Sequence, residues 1–374
     1  GLGFSVHSCW HAAWQEQIRG DVQVTVKINP DLSVILQAPM VETGVGSNSC
    51  VVLACAEHLK FLGVTPEDVQ WISRPDTETG VKDMVQTDSS VSYLQAELMP
   101  LVAEQVAAKI RAMAAPALET APDELTVADG RVFVTVDPGR GLSVRDVLWN
   151  DTLVPITVTV ARNAPEEATG IPYMATFAEV EVDTATGKVD ILRLVVLHDA
   201  GTVMYASGAE GQQIGGQCTG IGESLYEEIV YDRASGVPLN FNFVDYGIPT
   251  MVDFPPVEPV LLEVWEGAGE YGACGIGEGA PAATPRAILN AIYNAIGVRI
   301  DDIPVKPEKV LAALAEAEAG RDRAAVLTAE IRAELAQAAQ VAERCGVCDL
   351  APEFQEAAAE ASGGPQDPNA EVAP

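Results

Sequence analysis

Basic residues are scarce in this 374-residue chain: 22 Lys and Arg stand against 54 Asp and Glu, a formal net charge of −32. So acidic a surface repels polyanions, which argues against nucleic acid or an anionic membrane as partner. No apolar run approaches the length of a membrane-spanning helix, and no basic stretch ahead of an apolar one marks a secretory leader. The cytoplasm is therefore the expected compartment. Only four histidines occur, none at metal-ligand spacing; His7 and His11 are four apart in a glycine-rich start that need not be one helix face. Seven scattered cysteines, an odd number, do not form a disulfide framework. The one CxxC, Cys345-Gly-Val-Cys348, cannot complete a structural zinc site and lies in acidic, alanine-rich surroundings unlike a redox fold. No metal site built from side chains is expected.

What the chain does have is apolar patterning: 48% of its residues are hydrophobic, enough for a sizeable core or for extra surface buried against partners. Strands alternate with helices in mixed order, which favours an α+β fold of two mixed α/β subdomains. Residues 1–20 read as a lead-in segment, 21–165 as the first subdomain, 166–314 as the second, and 315–374 as an acidic, alanine-rich tail. In that tail Leu327, Ile331, Leu335 and Ala338 share a helical face, and 357–374 has the composition of disorder. Asp129-Gly130 predicts a hairpin turn, Ser143 a helix cap, 93–114 one long helix, and 208–216 a glycine-rich loop.

The most informative stretch runs from Tyr271 to Gly297. Glycines at 272, 275, 277 and 279 surround Glu278, so backbone can approach a ligand closely there. Thr284 is a natural N-cap for the helix that follows, Pro285 suits its first turn, and Gly297 can close it. On its own, a carboxylate in such a loop is more often a solvated loop acid than a base.

The context shifts that balance. Gly275-Ile-Gly277-Glu278 and its helix are preceded, in order, by Phe177-Ala-Glu-Val-Glu-Val-Asp183, by His198-Asp-Ala-Gly201, and by Glu210-Gly-Gln212-Gln-Ile-Gly215-Gly216. Asn242-Phe-Val-Asp245-Tyr246-Gly-Ile-Pro249 and Val257-Glu-Pro-Val-Leu-Leu-Glu263 come next, and Ile303-Pro-Val-Lys-Pro-Glu308 closes the series. In this the chain resembles the molybdenum hydroxylase family of xanthine dehydrogenase and aldehyde oxidase, from about Asp21 to Leu314, at the C-terminal end of its molybdopterin-binding subunit.

The resemblance implies a molybdenum ion held by a pterin dithiolene, in the cytosine dinucleotide form, rather than by side chains. Glu278 falls at the glutamate that accepts a proton as hydroxide on the metal attacks an electron-poor carbon. A general base of this kind belongs in an apolar, water-poor pocket, where the cost of burying its charge matches it to neutral pH. Three further segments fall at cofactor-holding positions. They are Gly44-Val45-Gly46, where the family commonly has Gly-Gln-Gly; Ser89-Ser90-Val91-Ser92, a hydroxyl-rich run; and Gln217-Cys218-Thr219, where glutamine commonly stands at 219. Gly277 completes the set. Two amides are thus replaced, by Val45 and Thr219.

Nothing resembles the cysteine patterns of 2Fe-2S domains, a flavin domain, or the family's earlier Gly-Gly-Gly-Phe-Gly loop. The resemblance therefore implies the C-terminal half of a split subunit. Its partners would be the N-terminal molybdopterin-binding half as a separate chain, a 2Fe-2S subunit and an FAD subunit. The implied reaction is oxidation of an aromatic heterocycle or aldehyde with water as oxygen source. Reductive dehydroxylation or hydration on the same cofactor is the alternative, and a non-catalytic structural subunit a third.

Overall fold

In the computed structural model the described residues are 1–8, 21–73, 75–76, 78, 89, 91–150, 155–163, 172–264 and 271–318. The expected tail helix and disorder, the CxxC, His11 and Ser90 lie outside them.

The chain starts as β1 (Leu2–Ser8) and then crosses to a second sheet at β2 (Asp21–Ile28). In β2 alternate residues Val22, Val24, Val26 and Ile28 are fully buried, the period-two pattern of a strand with one face on a core. A turn with Leu32 at φ 70° returns the chain antiparallel as β3 (Val34–Ala38). Helix α1 (Ser47–Leu59) then carries it over to β4 (Val69–Ser73), parallel to β3. The expected helix over 93–114 is two helices, α2 (Val91–Ala96) and α3 (Met99–Ala114), with Pro100 in the first turn of α3. Proline lacks the N–H that a continuous helix would need there. Val102, Val106, Ile110 and Ala114 recur every four residues along α3 and are buried.

A three-stranded meander follows, β5 (Leu125–Ala128), β6 (Arg131–Val134) and β7 (Asp137–Ser143). Its first turn is Asp129-Gly130, both at positive φ as a tight hairpin requires. Ser143 caps α4 (Val144–Asn150), its Oγ accepting the Asp146 N–H at 2.9 Å. β8 (Ile156–Asn163) closes the first sheet in the order β4-β3-β2-β8. One continuous core joins this sheet, α1, α3, α4 and the meander.

The second unit is built on β9 (Tyr173–Val182) and β10 (Val189–Asp199), an antiparallel pair joined by a turn at Gly187, φ 78°. β1 adds to the free side of β9, so residues within the expected lead-in segment supply an edge strand here. β11 (Val257–Leu262) adds parallel to β10. Helix α6 (Thr284–Ile296) lies across β1 and β9 and buries Ala287, Ile288, Ala291 and Ile292. Each isoleucine taken from water contributes roughly 1.5–3 kcal/mol. The contact is so close that a Cβ on Gly3 would sit 2.1 Å from the Ala291 nitrogen. α7 (Pro307–Glu318) covers the far end, with Val310 in the same core.

The largest departure from expectation is at 208–216. Helix α5 (Ala206–Ile221) occupies this stretch, continued by a π-helical turn Gly222–Tyr226. Each interior glycine costs a helix about 1 kcal/mol relative to alanine. Packing explains two of them: a Cβ on Gly216 would meet Ala280 at 2.5 Å, and one on Gly220 would meet Thr284 at the same distance. The glycines are there so that the segment after Glu278 can lie on the helix.

Candidate active site

The site forms where the C-terminal end of β10 faces the loop before α1. Two backbone bonds fasten the β10 exit to the Glu278 stretch: Cys274 N–H to the Ala200 carbonyl at 2.8 Å, and Thr202 N–H to the Gly272 carbonyl at 3.1 Å. The Gly44-Val45-Gly46 loop arrives from the first unit, with Tyr205 at the start of α5 packed over Gly46. Between them lies a cavity of about 370 Å³, the scale of a small-molecule site.

Its floor is a contact between two loops 189 residues apart. Ser89 adopts the left-handed conformation, φ 54°, which few non-glycine residues take outside constrained sites. Its Oγ accepts the backbone N–H of Glu278 at 3.0 Å and lies 3.4 Å from the carboxylate Oε2, to which it can donate. Gly275 lies against the Ser89 backbone, where an added Cβ would be 2.2 Å from the Ser89 carbonyl oxygen. At Gly277 the space a Cβ would take has Ser89 Oγ at 3.3 Å, Gln212 Oε1 at 3.6 Å and Val45 Cγ1 at 4.0 Å around it. Three segments distant in sequence thus converge on the residue before Glu278.

The sequence profile of the molybdopterin cofactor-binding domain matches residues 1–255. A putative xanthine dehydrogenase molybdenum-binding subunit XdhA of Escherichia coli is 32% identical over 287 residues, 76% of this chain and 38% of that protein. The chain belongs to the molybdenum hydroxylase family. The nicotine 6-hydroxylase large subunit of Paenarthrobacter nicotinovorans is 27% identical over 335 residues, covering 84% of the chain and 40% of its relative. Among solved structures, quinoline 2-oxidoreductase of Pseudomonas putida 86 has the same fold over 84% of this chain and 42% of its own, at TM-score 0.71 and 24% identity. The chain thus spans about two fifths of the length of the family members it matches.

Of the site residues expected from the family resemblance, Val45, Ser89, Val91, Ser92, Gly277 and Glu278 line this one cavity. Gly44 and Gly46 turn the loop beside it, both at positive φ. Glu278 itself is exposed rather than enclosed in a water-poor pocket, with the Ser89 hydroxyl beside its carboxylate.

Gln217, Cys218 and Thr219 do not reach the cavity. They lie further along α5, past the residues that do. Thr219 is exposed and its hydroxyl points back along the helix to the Gly215 carbonyl at 3.5 Å; Cys218 is half-buried. Gln217 is fully buried, donates from Nε2 to the Ala280 carbonyl at 2.9 Å, and accepts from the Thr284 hydroxyl at 2.5 Å. It holds the two ends of the segment between Glu278 and α6. Thr284 is therefore not the cap of α6, a place taken by Ala283; its hydroxyl is engaged by Gln217 instead.

The amide that does enter the cavity belongs to Gln212, which sequence reading passed over inside the supposed loop. The signal was available: Ala209, Gln213, Gln217 and Gly220 are the buried face of α5 at helical spacing, and that period places Gln212 beside it.

Two pocket thiols are held toward their protonated form by their environment. Burial, aided by the Glu42 carboxylate, pushes Cys50 up to about 11, and burial with the nearby Asp199 charge pushes Cys274 to about 12.

Glu42 sets the shape of the first loop. Its Oε1 accepts the N–H groups of Gly44 and Gly46 at 2.9 and 3.0 Å, and Oε2 that of Asn48 at 3.0 Å in the first turn of α1. Burial pushes its carboxyl upward, but the amides of Asn48, Gly46, Gly44 and Val45 together outweigh that and hold it below the ordinary range. A folded-state value below the unfolded one means the stabilisation is present above the unfolded value and lost as pH falls through the folded one. Thermal melts from pH 7 to 3 are expected to show Glu42→Gln less stable than wild type at pH 7, the gap closing below about pH 4.5. A gap independent of pH would mean the carboxylate charge is not what the loop uses.

Proposed function

We propose that this chain supplies the base-bearing wall of the molybdopterin site in a multi-subunit molybdenum hydroxylase. The substrate class is an aromatic heterocycle or an aldehyde, with water as the oxygen source. The observation that carries the reading is the Ser89–Glu278 contact beside the point where Ser89, Gln212 and Val45 converge on Gly277. It also fits the cofactor: the wall offers an amide, hydroxyls and glycine backbone, and among the described lining residues no Lys or Arg. Such a surface reads a neutral pterin by hydrogen bonds and close approach rather than by charge.

Within that site Ser89, Ser92 and Gln212 would orient the pterin, and Gly277 would let it lie against backbone. When bound, the molybdenum cofactor would supply the two-electron redox chemistry by which oxygen from water reaches the substrate. Glu278 takes the proton released in that step on its carboxylate, and the Ser89 hydroxyl fixes its orientation. Gln217 keeps the segment after Glu278 in register from the far side of α5.

The cofactor is proposed in its cytosine dinucleotide form. At the start of α1 the N–H groups of Gly46 and Asn48 are already taken by Glu42 and would not be free for a nucleotide phosphate. The partners are the N-terminal molybdopterin-binding half, a 2Fe-2S subunit and an FAD subunit, working in the cytoplasm. Subunit names among the relatives support an assembly of this kind: one is the gamma subunit of the 6-hydroxypseudooxynicotine dehydrogenase complex of Paenarthrobacter nicotinovorans.

Val45 favours a second reading. An isopropyl group where the family commonly has an amide makes the wall beside Gly277 more apolar, which suits reductive dehydroxylation or hydration of an aromatic or alicyclic substrate. Metal and nucleotide analysis of the purified complex tests both readings together. Stoichiometric molybdenum, with cytidine monophosphate released by acid, is expected; a complex without molybdenum would sink both and leave a structural subunit.

A further inference from the structure

Residues 229–254 leave the second unit between the π-helical turn and β11 as an arm with little regular structure. Their backbone is nevertheless organised by a series of local hydrogen bonds. Leu239 N–H bonds the Val230 carbonyl at 2.7 Å, and Tyr231 pairs with Pro238. The Asn240 amide bridges Val230 N–H and the Glu228 carbonyl, at 2.9 and 2.6 Å. Asn242 caps the next turn, accepting the N–H groups of Val244 and Asp245 at 2.9 and 3.2 Å. Tyr246 Oη donates to the Glu227 carboxylate at 2.7 Å, and Asp253 accepts the Thr250 N–H at 2.9 Å.

Held by these bonds, the arm turns its apolar side chains outward. Phe241 is 79% exposed, Phe243 88%, Val244 92% and Val252 94%, and Leu239 and Met251 are exposed with them. That is on the order of 1,000 Å² of mostly apolar surface, more than the few hundred Å² of ordinary monomer patches and comparable to one side of a stable interface.

We propose that this arm is the seat of the other half of the molybdopterin-binding subunit, which packs an apolar groove over Phe241 and Phe243. The inference rests on the reading of this chain as part of a molybdopterin site. Three observations select the occupant. The family match spans 1–255 and so includes the whole arm, which is part of the domain rather than an addition to it. Its cover must then be something family members share, and their chains extend well beyond the two fifths this chain represents. The tail, 319–374, lies outside that match and is a poorer candidate. A second copy is poorer still, because two chains of net charge −32 repel. The order already built into the arm lowers the entropic cost of docking.

The test places a photo-crosslinking phenylalanine analogue at position 243, and separately at 241, in the full complex, with position 136 as control. Val136 is 92% exposed, between β6 and β7 of the meander. Irradiation and peptide mass spectrometry are expected to join 241 and 243 to the other molybdopterin-binding half, at least tenfold above position 136. Adducts with a second copy, with residues 319–374 or with an iron–sulfur or flavin subunit would overturn the proposal, as would no adduct at either position. Molybdenum analysis of the same sample separates the two failures. Metal present with adducts elsewhere defeats the arm assignment alone; metal absent with the expected adduct defeats the functional reading alone.

Discussion

Replacing Glu278 with glutamine is expected to lower turnover of the complex by about 10²- to 10⁴-fold, the range set by removing a positioned general base. The amide keeps the size of the carboxylate, and the backbone N–H that Ser89 holds at 3.0 Å is unchanged, so the loop should stay in place. Molybdenum content and cofactor spectrum should therefore match wild type while the rate of reduction by substrate in a single turnover collapses. Ser89→Ala should show a smaller loss, because it removes the orienting hydroxyl and leaves the base. Full activity in Glu278→Gln would remove this residue from the chemistry and leave the cavity as a cofactor cradle only.

The second large effect comes from a single methyl group. In Gly275→Ala the new Cβ would lie 2.2 Å from the Ser89 carbonyl oxygen and 2.5 Å from Ser89 Cβ, and backbone cannot yield as a flexible side chain would. Overpacking of this kind costs about 1–3 kcal/mol, and here the strain falls on the contact that positions Glu278. A displacement of about 1 Å at a catalytic group can cost 10²-fold in rate, so turnover is expected to fall by about that factor even where the protein still folds. Gly211→Ala is the matched control. It lies in helix α5 where, among the described residues, nothing outside the helix's own backbone comes within 4 Å of the new Cβ, and it should raise stability by up to about 1 kcal/mol with turnover unchanged. Equal activity losses in both variants, read beside their melting temperatures, would show that the Ser89 contact has no special part.

How much of this could be read in the sequence depended on whether the cause was local. The Asp129-Gly130 hairpin, the Ser143 cap and the Gly297 end of α6 follow from residues within a few positions of one another, and all three are as expected. Helix α5 follows from contacts with residues 64 positions away, Gly216 with Ala280 and Gly220 with Thr284, and its glycines read locally as a loop. Glu278 stood out because its glycine setting is local, but its partner Ser89 is 189 residues distant. Gln212 was missed for the same reason that α5 was. Nothing in the sequence pattern marks the aromatic side chains at 241 and 243 as outward-facing, since exposure belongs to the fold.

The pairing of β1 with β9 matters for how the chain is made. Leu2 lies opposite Glu179 and Ser8 opposite Tyr173, so β1 has no strand partner until more than 160 further residues have been synthesised. At roughly 5–20 residues per second that is a wait on the order of ten seconds or more. Contacts of such long range also slow folding after release, because the loop between them must close first. α6, which completes the cover of β1, comes later still. The first sheet and its helices can settle during that interval, whereas the Ser89–Glu278 floor of the cavity cannot exist before translation has passed residue 278. Loading a cofactor between these loops would thus have to wait until translation has passed residue 278.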